Sequence, residues 1–93
     1  MQKGNLKGLT GTVGRAIARQ RMLSGLTQEE VAERLGVGNE AVSRIERGIV
    51  MPNVARLVEL AAIFGCDTAE LLTEASSRPH DQANRVSRLL ATL

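Results

Sequence analysis

The sequence QEEVAERLGVGNEAVSRIER, residues 28–47, decides the fold because it carries the start and stop signals of two short helices. Thr27 is a good N-cap for the first helix, and Glu30, three residues later, completes the pattern of a capping box. Gly36 follows at the point where a helix most often ends in a left-handed residue. The second helix comes directly afterwards and ends at Gly48. The stretch therefore predicts two helices joined by a tight glycine turn.

The apolar residues of this stretch predict how the two helices share a core. Val31, Ala32 and Leu35 form one stripe on the first helix, and Val42 and Ile45 are three residues apart on the second. The small side chain of Ala32 lets the second helix cross closely. The second helix is left with one polar outer face, which consists of Asn39, Glu40, Ser43, Arg44 and Arg47.

Small, glycine, apolar and polar residues in and just after this stretch fall in register together. They are Gln28, Ala32, Gly36, Val42, Ile45, Glu46-Arg47-Gly48 and Pro52. In this combination the chain resembles the lambda-repressor-like (Cro/Xre-type) helix-turn-helix regulators of phages and bacteria. The resemblance extends from about Val13 to Leu72, nearly two-thirds of the chain. It implies an all-α fold, a five-helix lambda-repressor-like DNA-binding domain, to which this chain adds a C-terminal helix.

Helix 1 of that domain is predicted to begin after Thr10 or Thr12 and to run to about Leu23. Residues 1–9 are glycine-rich and basic, and we expect them to form a flexible N-terminal arm. The inward-facing residues of helix 1 are predicted to be Val13, Ile17 and Met22, with Gly14 in its first turn.

Two more helices are predicted before residue 74. Asn53 caps helix 4, which ends at Gly65, and Asp67 caps helix 5, where Glu70 completes a second capping box. No strand pattern occurs, so the DNA-binding domain is assigned to residues 10–74. Its predicted core residues on these helices are Leu57, Leu60, Ala61, Phe64, Leu71 and Leu72.

The C-terminal part of the chain is predicted to be a linker, residues 75–79, and an amphipathic helix, residues 80–93. The helix carries an apolar stripe at helical spacing, and such a stripe needs a partner. Either it folds back onto its own domain or it packs against a second chain. Regulators of this type commonly bind two half-sites roughly 34–36 Å apart as dimers, so we favour dimerisation. The stripe consists of Val86, Leu89, Leu90 and Leu93.

The resemblance implies which residues read DNA. By position, Asn39, Glu40 and Arg44 reach base edges, and Ser43 lies close by. Asparagine pairs with adenine, arginine with guanine, and serine with either kind of group. Glu40 has two possible roles: it accepts from cytosine N4, or it pairs with Arg44 four residues later on its own helix.

Phosphate contacts are implied for Gln28, at a helix N-terminus, and for Arg47. Residues 1–24 carry five basic residues and no acidic one, whereas residues 25–74 carry four basic and nine acidic residues. This basic segment adds Arg15 and Arg19 as candidate phosphate ligands. The alternative is that these arginines are solvated surface charges.

The resemblance also implies a partly buried ion pair between Arg21 and Glu46, which would fix the recognition helix against helix 1. Two positions depart from the family pattern. Gly38 replaces the usual serine or threonine cap, and residues 49–51 are apolar where lysine or arginine is common. This apolar loop removes expected phosphate contacts and offers a surface for a second copy or another protein.

Composition excludes other classes. The 93 residues, 43% of them hydrophobic, fit one small globular domain, with no membrane span and no secretory signal expected. The single Cys66 is typical of a reducing cytoplasm, and His80 has no partner at ligand spacing. With only Phe64 as an aromatic residue, base-stacking modules are disfavoured. We therefore expect no enzyme, no cofactor and no metal.

Two functions remain. The first is a sequence-specific regulator that binds double-stranded DNA, in the form of a dimeric repressor that reads the major groove with helix 39–47. The second is a protein-interaction module, such as an antitoxin that binds a partner protein and regulates its own operon. The polar outer face of the second motif helix favours the first.

Overall fold

The computed structural model describes residues 3–73, with side chains from residue 8 onward. These residues contain no strand, so the all-α prediction is confirmed for this part of the chain. The predicted fifth helix is only a single turn of 3₁₀ helix, and the linker 75–79 and helix 80–93 lie outside the described residues. The elements are α1 (Lys3–Leu23), α2 (Gln28–Leu35), α3 (Asn39–Glu46), α4 (Val54–Phe64) and the 3₁₀ turn (Thr68–Leu71).

One hydrophobic core joins all five elements. Of the predicted stripe residues on α2, α3 and α4, Leu35 and Phe64 are partly buried and the others are buried. Ala16 of α1, which the sequence reading missed, is 5% exposed. Two predicted core residues are wrong. Met22 is 63% exposed, because it lies about 140° around the helix from Ile17. Leu72 is 41% exposed, because neighbouring residues of a 3₁₀ turn point about 120° apart and Leu71 already faces the core.

α1 begins at Lys3, well before the start predicted after Thr10 or Thr12, and Gly14 lies in its middle rather than its first turn. Glycine has a low helix propensity, which is why the sequence suggested a later start. Tertiary packing overrides this preference. A Cβ at Gly14 would lie 2.5 Å from the carbonyl oxygen of Ile45, and one at Gly48 would lie 3.0 Å from Gly11 Cα. Helix α1 therefore touches the end of α3 backbone to backbone.

The connection from α2 to α3 has the predicted caps. The Thr27 hydroxyl accepts from the Glu30 amide at 3.0 Å, and the Glu30 carboxylate accepts from the Thr27 amide at 2.8 Å. This backbone hydrogen bond lowers the pKa of Glu30, so the box stabilises the fold above the ordinary carboxyl pKa and is lost as pH falls through the lowered value. Gly36 ends α2 with φ of 74°, and Gly38 caps α3 without any side-chain bond.

Candidate nucleic-acid interface

One face of α3 is exposed to solvent because the opposite face packs into the core. Val42 is 1% exposed and Ile45 is 8% exposed. Arg44 is exposed on the opposite side, Asn39 is exposed at the N-terminal end of the helix, and Ser43 is half-buried. Amide, guanidinium and hydroxyl groups supply the donors and acceptors that match base edges in a major groove.

Glu40 lies among these groups and joins two arginines. Its Oε1 atom is 3.1 Å from Arg47 Nη2 and 3.6 Å from Arg44 Nε. The pair with Arg44 is one of the two roles considered from the sequence. The contact with Arg47 was missed, although a spacing of seven residues places two side chains on the same helix face. All three side chains are more than half exposed, so these ion pairs are individually weak.

A partly buried hydrogen-bond network lies behind α3. Arg21 Nε donates to Glu46 Oε2 at 2.7 Å, and Arg21 Nη2 donates to Glu46 Oε1 at 3.2 Å. The side chain of Glu46 is only 6% exposed and that of Arg21 is 16% exposed. Arg21 Nη1 also donates to the Leu26 carbonyl at 2.9 Å. The pair links α1 to the last turn of α3 and to the loop before α2.

Gln28 belongs to the same network, which sequence reasoning did not find. Its Nε2 atom donates to Glu46 Oε1 at 2.9 Å. An amide nitrogen carries two hydrogens, so this bond leaves one hydrogen and the carbonyl oxygen of Gln28 for another partner. The side chain of Gln28, for which the resemblance implies a phosphate contact at the N-terminus of α2, is thus also oriented by α3.

Arg15 and Arg19 are exposed and one turn apart on α1. Arg15 Nη2 donates to the Thr12 hydroxyl at 3.4 Å. The two arginines therefore add positive charge to the side of the molecule that α1 presents to solvent.

A family model described as helix-turn-helix matches residues 17–71, which covers the last turns of α1 and all of α2, α3, α4 and the 3₁₀ turn. The chain belongs to the Cro/Xre-type helix-turn-helix family. As a member, it is a DNA-binding transcriptional regulator.

Relatives within this helix-turn-helix family carry regulator names. The chain is 43% identical over 67 residues to the uncharacterised HTH-type transcriptional regulator y4dJ of Sinorhizobium fredii, covering 72% of this chain and 87% of y4dJ. It is 29% identical over 73 residues to the cryptic phage CTXphi transcriptional repressor RstR of Vibrio cholerae, covering 78% of this chain and 66% of RstR. It is also 33% identical over 61 residues to the HTH-type transcriptional regulator ImmR of Bacillus subtilis. This match covers 66% of this chain and 48%, about half, of ImmR.

Two solved structures share the helix-turn-helix fold. The restriction-modification controller protein C.AhdI of Aeromonas hydrophila superposes with a TM-score of 0.65 at 25% identity, over 70% of this chain and 94% of C.AhdI. The clp gene regulator ClgR of Corynebacterium glutamicum superposes with a TM-score of 0.68 at 28% identity, over 88% of this chain and 89% of ClgR.

Outside the helix-turn-helix unit, the described residues offer an apolar surface. We call it the α3–α4 patch. It consists of Ile49, Val50, Met51, Val54 and Val58, which are between 39% and 73% exposed.

Cys66 is half-buried beside the core. Burial raises the pKa of its thiol, and the nearby Glu70 and Asp67 carboxylates raise it further, so the reactive thiolate is disfavoured. Among residues 8–73, no three histidine, cysteine or acidic side chains are grouped closely enough to hold a metal ion. None of the helices described is both long and apolar enough to cross a membrane.

Proposed function

We propose that this chain is a sequence-specific repressor that binds double-stranded DNA and reads the major groove with α3. The observation that carries the proposal is the two-sided character of α3. Val42 and Ile45 anchor it in the core, while Arg44 is exposed on the opposite face and Asn39 is exposed at the N-terminal end of the helix. A helix of this kind fits the B-DNA major groove, which is about 12 Å wide.

Each exposed group has a matching base. Arg44 donates two parallel hydrogen bonds to guanine O6 and N7, and Asn39 pairs with adenine N6 and N7. Ser43 lies between them in sequence and is half-buried. Its short side chain brings the hydroxyl to a base edge only where α3 lies close to that base. Glu40 is the remaining member of the proposed base-reading set, and its ion pairs give it a further role.

Phosphate contacts complete the proposed interface. The free hydrogen of the Gln28 amide, next to the N-terminus of α2, is suited to a backbone phosphate. Arg47, at the C-terminal end of α3, and Arg15 and Arg19 on α1 add charge-assisted contacts that carry no sequence information. These contacts set the register of α3 in the groove.

Replacing Arg44 by alanine is expected to relax the selected sequence at one position of each half-site. Losing a bidentate arginine–guanine pair costs about 1–3 kcal/mol of discrimination. The measurement is selection from a random duplex pool at near-physiological salt, with wild type and Arg44→Ala in parallel. Arg34→Ala removes the same charge from the exposed surface of α2 and should leave the selected sequence unchanged. If the Arg44 variant selects the wild-type sequence at every position, α3 does not read bases through this side chain.

We also propose that the regulator is a homodimer joined by the C-terminal stripe of Val86, Leu89, Leu90 and Leu93. The support is the helical spacing of these apolar residues. We expect wild type to sediment as a dimer at micromolar concentration, and a Leu89→Asp, Leu90→Asp double variant to sediment as a monomer. The dimer should select an inverted repeat with half-sites one DNA turn apart. A monomeric wild type well above micromolar concentration would mean that the stripe packs within its own chain.

A protein-interaction role, of the antitoxin type, is the second candidate function. The observation that favours it is the α3–α4 patch, whose five exposed apolar side chains fall within residues 49–58. Polar groups fit for base readout on α3 favour the DNA role over this one. Failure of the wild-type chain to enrich any duplex sequence would reverse that preference.

A further inference from the structure

Glu40 is the one carboxylate on the exposed face of α3. The other acidic residue of this helix, Glu46, is 6% exposed and is bound to Arg21 and Gln28. Glu40 is 65% exposed, and a single oxygen atom of it approaches both Arg47 and Arg44. A negative charge therefore lies at the centre of a face that is proposed to enter a strongly negative groove.

Glu40 and a DNA phosphate compete for the guanidinium of Arg47. In the free protein its Nη2 atom is 3.1 Å from Glu40 Oε1, and its Nε atom donates to the Ser43 carbonyl at 3.4 Å. A DNA phosphate offers the same guanidinium a negative oxygen at any sequence. A phosphate therefore competes with Glu40 for the Arg47 guanidinium, and where Arg47 turns to the phosphate the Glu40 carboxylate is left uncompensated beside the DNA.

The compensation available to Glu40 depends on sequence. In the major groove, cytosine N4 and adenine N6 present amino hydrogens, whereas guanine and thymine present acceptors. A carboxylate accepts from an amino group but is repelled by acceptor oxygens and by phosphates. Only cytosine or adenine on the strand that Glu40 faces therefore makes the release of Arg47 favourable.

We propose that Glu40 is a specificity-determining residue that withholds Arg47 from backbone phosphates unless the base it faces is cytosine or adenine, which offers an amino hydrogen. The inference rests on the proposed function, since it requires α3 to enter the major groove. Its effect is to weaken binding to unrelated sequences more than binding to the operator. Arg44 Nε lies 3.6 Å from the same oxygen, which is a weaker contact than that of Arg47.

The test is the affinity of Glu40→Gln for a mixed-sequence duplex, measured at several salt concentrations. Freeing one cation and removing one repelling charge should raise nonspecific affinity roughly threefold to tenfold. The slope of log affinity against log salt should steepen by about 0.9, the value for one more phosphate contact. The matched control is Glu33→Gln, which removes the same charge from an exposed position on α2 and should change neither quantity comparably.

Repeating the comparison with Arg47→Ala isolates the contact itself. In that background Glu40→Gln should raise nonspecific affinity by less than half as much as in wild type. An equal rise in both backgrounds would mean that Glu40 acts only through its charge and would overturn the proposal. Unchanged nonspecific affinity of Glu40→Gln, in a variant whose circular dichroism matches wild type, would overturn it as well.

Selection from a random duplex pool, with wild type and Glu40→Gln in parallel, distinguishes failure of this proposal from failure of the proposed function. Wild type should enrich cytosine or adenine over guanine and thymine on one strand at one position, and Glu40→Gln should lose that preference while the rest of the site persists. If both proteins enrich the same site, the proposal fails and the proposed function stands. If wild type enriches no site at all, the proposed function fails, and with it the role of Glu40 in discrimination.

Discussion

Replacing Gly14 by alanine is expected to lower the free energy of unfolding by about 3 kcal/mol. The new Cβ would lie 2.5 Å from the Ile45 carbonyl oxygen and 2.7 Å from the Glu46 carbonyl oxygen. Both neighbours are backbone atoms of α3, so no side-chain rotation relieves the overlap. α1 and α3 have to move apart, and the core between Val13, Ile17 and Ile45 opens with them. For a domain of this size the melting temperature should fall by roughly 10–20 °C.

Gly8→Ala is the matched control for this experiment. Gly8 lies in the same helix, and a Cβ there would have nothing within 4 Å. Alanine is a better helix former than glycine by up to about 1 kcal/mol, so this variant should be as stable as wild type or slightly more stable. Thermal and urea unfolding, followed by circular dichroism, measure both variants. Equal stability of the two would mean that α1 and α3 are not in backbone contact in solution.

Replacing Glu46 by alanine is expected to destabilise the fold by about 3 kcal/mol, the lower end of the range for breaking a buried pair. The Arg21 guanidinium would lose both of its bonds to the carboxylate, and the Gln28 amide would lose its acceptor. Arg21 keeps its bond to the Leu26 carbonyl and is 16% exposed, which moderates the loss. Urea unfolding of the wild type and the variant gives the difference.

Glu59→Ala serves as the comparison for Glu46→Ala. Glu59 also pairs with an arginine, Arg56, at 3.1 Å, but its side chain is 54% exposed. Exposed pairs contribute less than about 1 kcal/mol, so this variant should unfold close to wild type. A similar small effect of Glu46→Ala would show that water replaces the lost carboxylate at little cost. The pair would then have no architectural role.

The two positions act on the same contact from different sides. Gly14 permits α1 to approach the end of α3, and Glu46 holds that end to Arg21 on α1 and to Gln28 on α2. The orientation of α3, on which the proposed readout by Arg44 depends, is therefore set from behind the helix. We expect Glu46→Ala to weaken specific binding even under conditions where the variant is fully folded, because Gln28 also loses its orientation.

Much of the fold was predictable because its signals are local. The capping box at Thr27 and Glu30, the left-handed Gly36 and the Asn53 cap each act within one helical turn. Helical spacing likewise placed Val42 and Ile45 in the core. Where the prediction depended on a weak local preference it was wrong: the start of α1 was placed too late, and the fifth helix is one 3₁₀ turn.

The sequence by itself determined the helix pair around Gly36, the inward stripe and the polar outer face of α3, because caps and helical periodicity depend on neighbours in the chain. The tertiary structure decided why Gly14 has to be glycine and where Gln28 directs its side chain. Gly14 and Ile45 are 31 positions apart, and Gln28 and Glu46 are 18 apart. Such contacts exist only after the helices have packed, and the chain carries no local pattern for them.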